Sequence, residues 1–414
     1  MIVLLVFIYV FTPFLIIFLT EKYSFFNKVG AIIIAYIFGL ILGHIGILPH
    51  PSEALYHLME SKEIVNNQVI SDKIVQGELV ASDLSAFRIF NLQDLFTNIT
   101  IPLSLPLLLF SLQIKLWIRM SVTTLISMLL AILGVVVFIV IGYYVWGDDL
   151  HDANKIAGMM VGLYTGGTPN LAALKQSLNV DVETYLMTHT YDTAVGVLYL
   201  FFLITFGKDI LRKFLRPYPK LEVEVIEDAK AFSENAYDGI FSKKTMSGLL
   251  VALSITILIV GVSAGLGMLV DKKSFMLTVI LSITTLSILA SFISSINKIE
   301  KTFELGMYFI IVFSVVVASM ADISKLIHIT PALFIYITVV YFGALFLHGI
   351  LSKIFKVDAD TLMVTSTALL CSPPFVPLVA GALKNKEVIV SGLTVGIMGY
   401  AIGNYLGILL AGLL

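Results

Sequence analysis

Long apolar runs recur from one end of this 414-residue chain to the other. A run of about 20 apolar residues is the length that an α-helix needs to cross the hydrocarbon core of a bilayer. Because hydrocarbon cannot hydrogen-bond exposed backbone groups, such a chain crosses as helices or as a closed barrel. Hydrophobic residues make up 58% of the chain and charged residues 13%, which is more apolar surface than a soluble core can bury. The runs therefore predict an all-α polytopic membrane protein.

About twelve hydrophobic segments are predicted, each bounded by polar or turn-forming residues. The first segment lacks a basic stretch and a small-residue cleavage site, so we expect a retained membrane helix rather than a signal peptide. The two long polar loops, 49–91 and 207–244, are too short to form a second enzyme domain. The predicted segments are residues 2–20, 29–48, 92–113, 120–145, 152–178, 182–206, 246–270, 275–296, 303–321, 331–355, 360–383 and 388–413.

Two of the segments are interrupted by glycine and proline. The first break reads YTGGTPNL at residues 164–171, and the second reads LCSPPFVP at residues 370–377. Neither residue type continues an ordinary helix, so backbone hydrogen bonds are lost where hydrocarbon offers no replacement. A single break is most simply explained as a kink packed against neighbouring helices. Paired breaks in two halves favour the binding site of a secondary transporter, and we predict broken helices near 165–170 and 371–377.

The order of the segments repeats, because a shift of 206 positions places Thr168-Pro169 on Pro374-Phe375. This predicts a first repeat at 1–206, a polar inter-repeat loop at 207–244 and a second repeat at 245–414. Six crossings per half would leave the repeats parallel, whereas five crossings and one re-entering segment would invert them. The basic loops around Lys115 and Lys208 belong on the cytoplasmic side, which favours re-entry. Each broken segment is nevertheless long enough to cross the membrane. We therefore predict inverted repeats and leave open whether the broken segments cross or re-enter.

Helix ends at the two breaks would expose N–H groups with partial positive charge and carbonyls with partial negative charge. An anion and a cation can then be held side by side. Gly166-Gly167 would admit a ligand close to the backbone, and Asn170 is expected to cap the half-helix 171–178. The candidate substrate-binding residues at the breaks are Thr165, Gly166, Gly167, Thr168, Pro169, Asn170, Ser372, Pro373, Pro374 and Phe375.

Asp192 lies deep in the apolar segment that follows the first break. Burying a carboxylate costs at least about 2.5 kcal/mol on insertion scales, so this group has to be paired, hydrated or protonated. It is our candidate to bind Na+ or to carry a coupling proton, with His189 and Thr193 beside it on the same helix. The alternative is an interhelical hydrogen bond without a role in transport.

Asn404 occupies the corresponding place after the second break and is a further candidate for the same cavity. It lies among Gly396, Gly399, Gly403 and Gly407, whose spacings of three and four form one helical stripe. Such a stripe allows close helix packing. The glycines are therefore expected to pack helices, and Asn404 to serve either packing or the cavity.

The first break, Asp192, the second break and the run GYAIGNYLG at 399–407 together resemble a bacterial family of uncharacterised polytopic membrane proteins. That family is grouped with the cation:proton antiporter and anion transporter superfamily, which includes sodium/proton antiporters and bile acid sodium symporter-like proteins. The resemblance implies a scaffold domain, a core domain with two broken helices crossing near mid-membrane, and elevator-like alternating access. Here Cys371-Ser372-Pro373 replaces the glycine-rich second break that is common in the family.

We expect a secondary active transporter of a small organic anion, such as a carboxylate, amino acid or peptide, coupled to Na+ or H+. The alternatives are a cation/proton antiporter that titrates Asp192, and a membrane receptor or scaffold that transports nothing. The sequence carries no Walker loop, no Cys/His cluster and a single cysteine, Cys371, so we expect no enzyme activity and no cofactor besides the coupling ion.

The expected setting is the inner membrane of a bacterial cell, with several passes through the bilayer. A net charge of -2 offers no nucleic-acid surface, so the expected partners are lipid and a small-molecule substrate. We expect a homodimer.

Overall fold

A computed structural model provides the structure. It describes residues 2–23, 26, 30–46, 48–49, 51–52, 54–55, 58, 66–111, 121–219, 237, 239–272, 274–321, 330–385 and 387–414. Within these ranges the ordered backbone is helical, and the one strand-like pairing is an isolated bridge between Arg216 and Asp358. The prediction of an all-α fold is confirmed.

The helices follow the predicted hydrophobic segments along the described chain. Eight of them are long and apolar enough to cross a membrane, which makes this a polytopic membrane protein. The α-helices longer than about one turn are α1 (Ile2–Lys22), α2 (Ala31–His44), α3 (Asn67–Val75), α4 (Ala81–Phe110), α5 (Val122–Trp146), α6 (Ala153–Ser177), α7 (Val182–Phe202), α8 (Lys208–Phe214), α9 (Lys243–Gly267), α10 (Phe275–Ser291), α11 (Thr302–Met320), α12 (Pro331–Ile354), α13 (Ala359–Ser366), α14 (Val376–Leu383) and α15 (Val388–Leu413). Three shorter apolar helices lie among the eight long ones: α2, α10, and α13 with the turn that continues it to Cys371.

Helix α4 begins about ten residues earlier than the apolar pattern predicts, inside the stretch expected to be a polar loop. Asp83 explains the early start. Its buried carboxylate accepts a hydrogen bond from the backbone N–H of Val80 (3.0 Å), which is an orphan donor at the beginning of the helix, and another from the backbone N–H of Ser52 (2.9 Å) in the preceding segment. Capping of this kind leaves no hydropathy signal. The basic positions Lys115 and Arg119 lie outside the described residues.

The chain divides into two compact units. The first comprises Met1–Ile101 and Tyr308–His328. Inside it, the Gln93 amide donates to the hydroxyl oxygens of Tyr9 (3.0 Å) and Ser319 (3.1 Å), so three buried polar side chains satisfy one another. A Cβ at Gly39 would lie 2.4 Å from the Val315 carbonyl oxygen, so α2 and α11 touch backbone to backbone.

The second unit, Pro102–Met307 with Ile329–Leu414, contains both broken helices. Helix α6 turns back on itself at Gly167, where φ is 67° and ψ is −165°. A Cβ at Gly162 would lie 2.0 Å from Leu174 Cδ1, although twelve residues in a continuous helix span about 18 Å. Near the open end, Lys155 Nζ lies 3.4 Å from the Asn179 carbonyl oxygen. We call Ala153–Ser177 the first hairpin.

The second broken segment also folds back. Helix α13 continues as a π-helical turn, Thr367–Cys371, the chain reverses at Ser372, and α14 returns. At its open end, Arg212 donates to both carboxylate oxygens of Asp360 (2.9 Å each) and to the Leu383 carbonyl oxygen (2.9 Å). One guanidinium therefore contacts the beginning and the end of the segment. We call Ala359–Leu383 the second hairpin.

Both broken segments are thus helical hairpins whose ends lie together, and this answers the crossing question that the sequence leaves open. It also corrects the expectation, implied by the family resemblance, of two broken helices that pass through the membrane and cross. The physical cause is the backbone at Gly167 and Ser372, where a positive φ turns the second arm back along the first instead of bending it slightly.

Helix α15 runs along both hairpins through its glycines. A Cβ at Gly396 would lie 2.3 Å from Pro373 Cγ at the second tip, and one at Gly399 would lie 1.6 Å from the Thr165 carbonyl oxygen at the first tip. Further along, a Cβ at Gly407 would lie 2.6 Å from the Gly158 carbonyl oxygen in the arm of the first hairpin. The two hairpins therefore approach from opposite ends of α15. The glycine stripe packs helices, as its spacing indicates.

Gly399→Ala tests this packing. The new methyl group would overlap a backbone atom that cannot rotate away, so we expect a loss of stability of about 3 kcal/mol, at the upper end of the usual cost of overpacking. Gly412→Ala on the same helix meets nothing within 4 Å and is the matched control. Thermal unfolding in detergent measures both. Equal melting temperatures would show that α15 does not lie against the first tip.

Candidate functional site

The two hairpin tips meet in the interior of the second unit. A Cβ at Gly167 would lie 3.0 Å from Ser372 Oγ, so the glycine of the first tip faces the hydroxyl of the second. Ser372 itself has a φ of 92° and a ψ of 152°, a conformation that non-glycine residues rarely adopt. The two breaks singled out in the sequence are therefore brought together.

Each tip joins the carboxyl end of one helical arm to the amino end of the next. The first arms end near Gly166 and Cys371, and the second arms begin near Thr168 and Val376. Freed carbonyl oxygens carry partial negative charge, and freed N–H groups carry partial positive charge. The meeting tips thus present both signs in one place, which suits an anion beside a cation.

Thr165 and Asn170 hold the first tip in place. The Thr165 hydroxyl donates to the Val161 carbonyl oxygen (2.7 Å) within its own arm. The Asn170 amide donates to the carbonyl oxygens of Tyr400 (3.2 Å) and Gly399 (3.4 Å) on α15. Asn170 therefore does not cap the half-helix that follows it, because its side chain donates across to a neighbouring helix. Its buried Oδ1 has no hydrogen-bond partner among the described residues.

Thr168 and His189 connect the first tip to α7. The Thr168 hydroxyl and His189 Nε2 are 3.1 Å apart, and the His189 ring is buried. One turn further along α7, the Thr193 hydroxyl donates to the His189 carbonyl oxygen (2.8 Å). Of the candidates around Asp192, His189 thus reaches the tip, whereas Thr193 hydrogen-bonds within its own helix.

Asp192 is buried on α7 and hydrogen-bonds to α12. Tyr341 donates its hydroxyl to Asp192 Oδ1 at 2.8 Å, and the same hydroxyl lies 3.0 Å from the carbonyl oxygen of Leu370 at the second tip. The rings of Tyr164 and Tyr199 pack against the Tyr341 ring, each with centroids 5.1 Å away. Asp192 is therefore approached by Tyr341 of α12 and Tyr164 of α6, and Tyr199 packs behind Tyr341.

Tyr341 and the Leu370 carbonyl are not among the residues that the sequence analysis selected. One signal was available: tyrosines of membrane helices concentrate at the water interfaces, whereas Tyr341 lies in the middle of an apolar segment. A backbone carbonyl leaves no signal of its own. Only the reversal of the chain at Ser372 releases it.

The remaining candidates are spread around the tips. Pro169 and Pro373 are buried, Gly166 packs against the Asn170 side chain, and Phe375 is exposed. Asn404 is buried but donates to the Thr284 hydroxyl of α10 (3.3 Å), so its hydrogen bond leads away from the tips. The side chain of Pro374 lies outside the described residues. Among the described residues, no group of three or more His, Cys, Asp or Glu side chains is placed to bind a metal ion.

These features define an all-α polytopic membrane protein of transporter-like architecture, with two hairpins meeting beside a buried carboxylate. Residues 68–414 match the family described as "Protein of unknown function (DUF819)", and the chain belongs to this family. It is also 24% identical over 285 residues to YjcL, an uncharacterized membrane protein of Bacillus subtilis strain 168, covering 66% of this chain and 71% of YjcL. Neither match concerns the wider antiporter superfamily.

Ser372→Gly tests whether the backbone at Ser372 is strained, which is the cost of placing a serine hydroxyl at the second tip. The observed φ and ψ cost a non-glycine residue about 1–3 kcal/mol, whereas a glycine adds about 0.5–1 kcal/mol of chain entropy to unfolding. We therefore expect the variant to be as stable as the wild type or more stable by about 1 kcal/mol. Thermal unfolding measures this, with Ser254→Gly in the middle of α9 as a control that should destabilise. A clear loss of stability in Ser372→Gly would show that the backbone at Ser372 is not strained.

Proposed function

We propose that this protein is a secondary active transporter that carries a small organic anion across the membrane together with Na+ or H+. The observation that supports it most is the meeting of the two hairpin tips, Gly167 against Ser372, next to Asp192. Broken helical elements with exposed helix ends are the way transporters hold a substrate and a coupling ion at mid-membrane. The site is built for small charged ligands rather than for bond chemistry, so we propose transport and no enzyme activity.

The substrate would bind at the tips. The N–H groups at the amino ends of the second arms would attract a carboxylate, and Gly167 leaves room for it beside the backbone. The hydroxyls of Thr168 and Ser372 and the unpaired Oδ1 of Asn170 would add hydrogen bonds. An acceptor such as Oδ1 suits a substrate that also carries an N–H donor, which favours an amino acid or peptide among the organic anions.

The coupling ion would bind at Asp192. Among the described residues no Lys or Arg side chain forms an ion pair with this carboxylate, so a bound cation or a proton has to compensate its charge inside the protein. The same observation favours the second candidate function, a cation/proton antiporter without an organic substrate. Substrate-dependent uptake distinguishes the two.

The direction of the hairpins supports inverted repeats, since elements related by a two-fold axis in the membrane plane enter from opposite sides. We propose this symmetry for the repeats 1–206 and 245–414, with a scaffold and a mobile core and with elevator-like alternating access. The same proposal includes a likeness to the cation:proton antiporter and anion transporter superfamily, a location in the inner membrane of a bacterium, and assembly as a homodimer. No cofactor is part of it besides Na+ or H+.

Asp192→Asn tests the coupling site. The amide keeps the size and the hydrogen bond to Tyr341 but removes the charge, so Na+ or H+ gradients should no longer drive uptake. The measurement is gradient-driven uptake into proteoliposomes of a monocarboxylate, a dicarboxylate, an amino acid and a dipeptide. Asp181→Asn, at the amino end of α7, is the control that should keep coupling. Wild-type coupled uptake by Asp192→Asn would remove Asp192 from the mechanism.

Cys371 provides a second test, because it is the only thiol and lies at the second tip. If the tips line a water-filled path in one state, a small hydrophilic thiol reagent should label Cys371 in membranes, and substrate or coupling ion should change the rate several-fold. Cys371→Ala serves as the blank. A slow rate that no ligand changes would indicate a packed structural kink, as expected for a receptor or scaffold.

A further inference from the structure

The Tyr341 hydroxyl faces two acceptors but has one hydrogen to donate. Asp192 Oδ1 lies 2.8 Å from the hydroxyl oxygen and the Leu370 carbonyl oxygen lies 3.0 Å from it. At any moment one of these buried oxygens therefore receives no hydrogen from Tyr341. A charged carboxylate is the stronger acceptor, so the hydrogen belongs on Asp192 and the Leu370 carbonyl is the oxygen left over.

The Leu370 carbonyl is also deprived of its helical partner. It lies in the π-helical turn Thr367–Cys371, directly before the chain reverses at Ser372. A buried carbonyl without a donor costs free energy comparable to a lost hydrogen bond, and hydrocarbon cannot replace the donor. Carbonyls freed at the carboxyl ends of half-helices are the groups with which transporters coordinate Na+.

Among the described residues, the surroundings of Asp192 supply oxygen atoms but no Lys or Arg ion pair. Tyr164 approaches from the first hairpin, Tyr341 from α12 and Cys371 from the second hairpin, while His189 and Tyr199 lie on α7 itself. Tyr199 pairs its hydroxyl with Ser366 instead of Asp192. A carboxylate oxygen, a carbonyl oxygen and a phenol oxygen thus converge, and hard oxygen ligands of this kind suit a hard cation rather than a soft metal.

We propose that the Asp192 carboxylate, the Leu370 carbonyl oxygen and the Tyr341 hydroxyl oxygen together form a Na+ site. This deepens the proposed function, on which it rests, by naming the coupling ion and two ligands that the sequence does not indicate. In the occupied site Tyr341 donates its hydrogen to Asp192 and turns its oxygen to the cation. Because Leu370 belongs to the second hairpin and Asp192 to α7, the cation ties the second tip to α7.

The test compares two Tyr→Phe variants of neighbouring tyrosines. Tyr341→Phe removes a proposed ligand, whereas Tyr199→Phe, the matched control, removes a hydroxyl that is bonded to Ser366. Purified protein is melted in detergent across a NaCl series at constant ionic strength, with choline and K+ as replacements. Melting in choline alone shows whether each variant is folded.

We expect Na+ to raise the melting temperature of the wild type and of the Tyr199→Phe control, with the same midpoint. Tyr341→Phe should raise the midpoint about tenfold, the loss expected for one charge-assisted interaction, and Asp192→Asn should abolish the shift. In parallel, Na+ should slow the labelling of Cys371, the neighbour of Leu370, in the wild type and not in Asp192→Asn. This readout needs no substrate.

Two results would overturn the site: a wild type that Na+ stabilises no more than choline does, or a Tyr341→Phe variant with the wild-type Na+ midpoint. The first result combined with uptake driven by a proton gradient would keep the transporter and replace Na+ by H+. Sodium binding with the expected variant pattern, but without uptake of any organic anion, would keep this site and refute the proposed transport.

Discussion

Backbone groups freed at the two chain reversals have to find partners because hydrocarbon cannot hydrogen-bond to them, and the second unit is arranged around that requirement. At the second reversal the Tyr341 hydroxyl lies beside the freed Leu370 carbonyl oxygen. At the first reversal the Asn170 amide ties the tip to the carbonyl oxygens of Gly399 and Tyr400 on α15, a contact that needs very close approach of α15 to the first hairpin. Glycine at position 399 permits it, because any side chain would overlap the Thr165 carbonyl oxygen.

The same requirement explains why the breaks suit the transport that we propose. A continuous helix consumes its own hydrogen-bonding groups, whereas a reversal leaves some of them available to a ligand. Gly167 and Ser372 both have a positive φ and face each other, so the free groups of two hairpins gather in one small region. A substrate or an ion that binds to these groups supplies the interactions that they lack in the empty tips, and this contributes to the free energy of binding. The chain reversals therefore create the unsatisfied groups that a bound ligand would satisfy.

Among the described residues around the two tips, Asp192 is the one acidic side chain. Its position on α7, one turn after His189, brings it to Tyr341 and hence to the second hairpin, while His189 contacts Thr168 of the first. One helix is thus connected to both tips, directly through His189 and by way of Tyr341 through Asp192.

The Arg212–Asp360 contact lies at the open end of the second hairpin, next to Lys384 and Glu387. It is an ion pair that holds the two ends of the hairpin together. There, burial and the carboxylates of Glu387, Asp358 and Asp360 raise the pKa of Tyr218.

The sequence by itself determined the class, the helices and the places where they break. Apolar runs of membrane length can only become helices in this composition, and glycine and proline at 166–169 and 372–374 leave a helix no regular continuation. Asp192 was recognisable for a similar reason, since a carboxylate in an apolar run is costly wherever it lies. These are local properties, and they can be read without knowing the fold.

Tertiary structure alone decided what the breaks become and which groups meet there. Glycine and proline are compatible with a kinked crossing helix and with a hairpin, and the choice depends on the backbone angles at Gly167 and Ser372 and on packing against α15. Asn170 faces α15 instead of capping its own half-helix, and Asn404 faces Thr284, which is the packing alternative of the two that the sequence left open. A side chain's partner depends on the neighbouring helix rather than on its own sequence. Tyr341 and the Leu370 carbonyl come together over 29 residues, a contact that no local pattern contains.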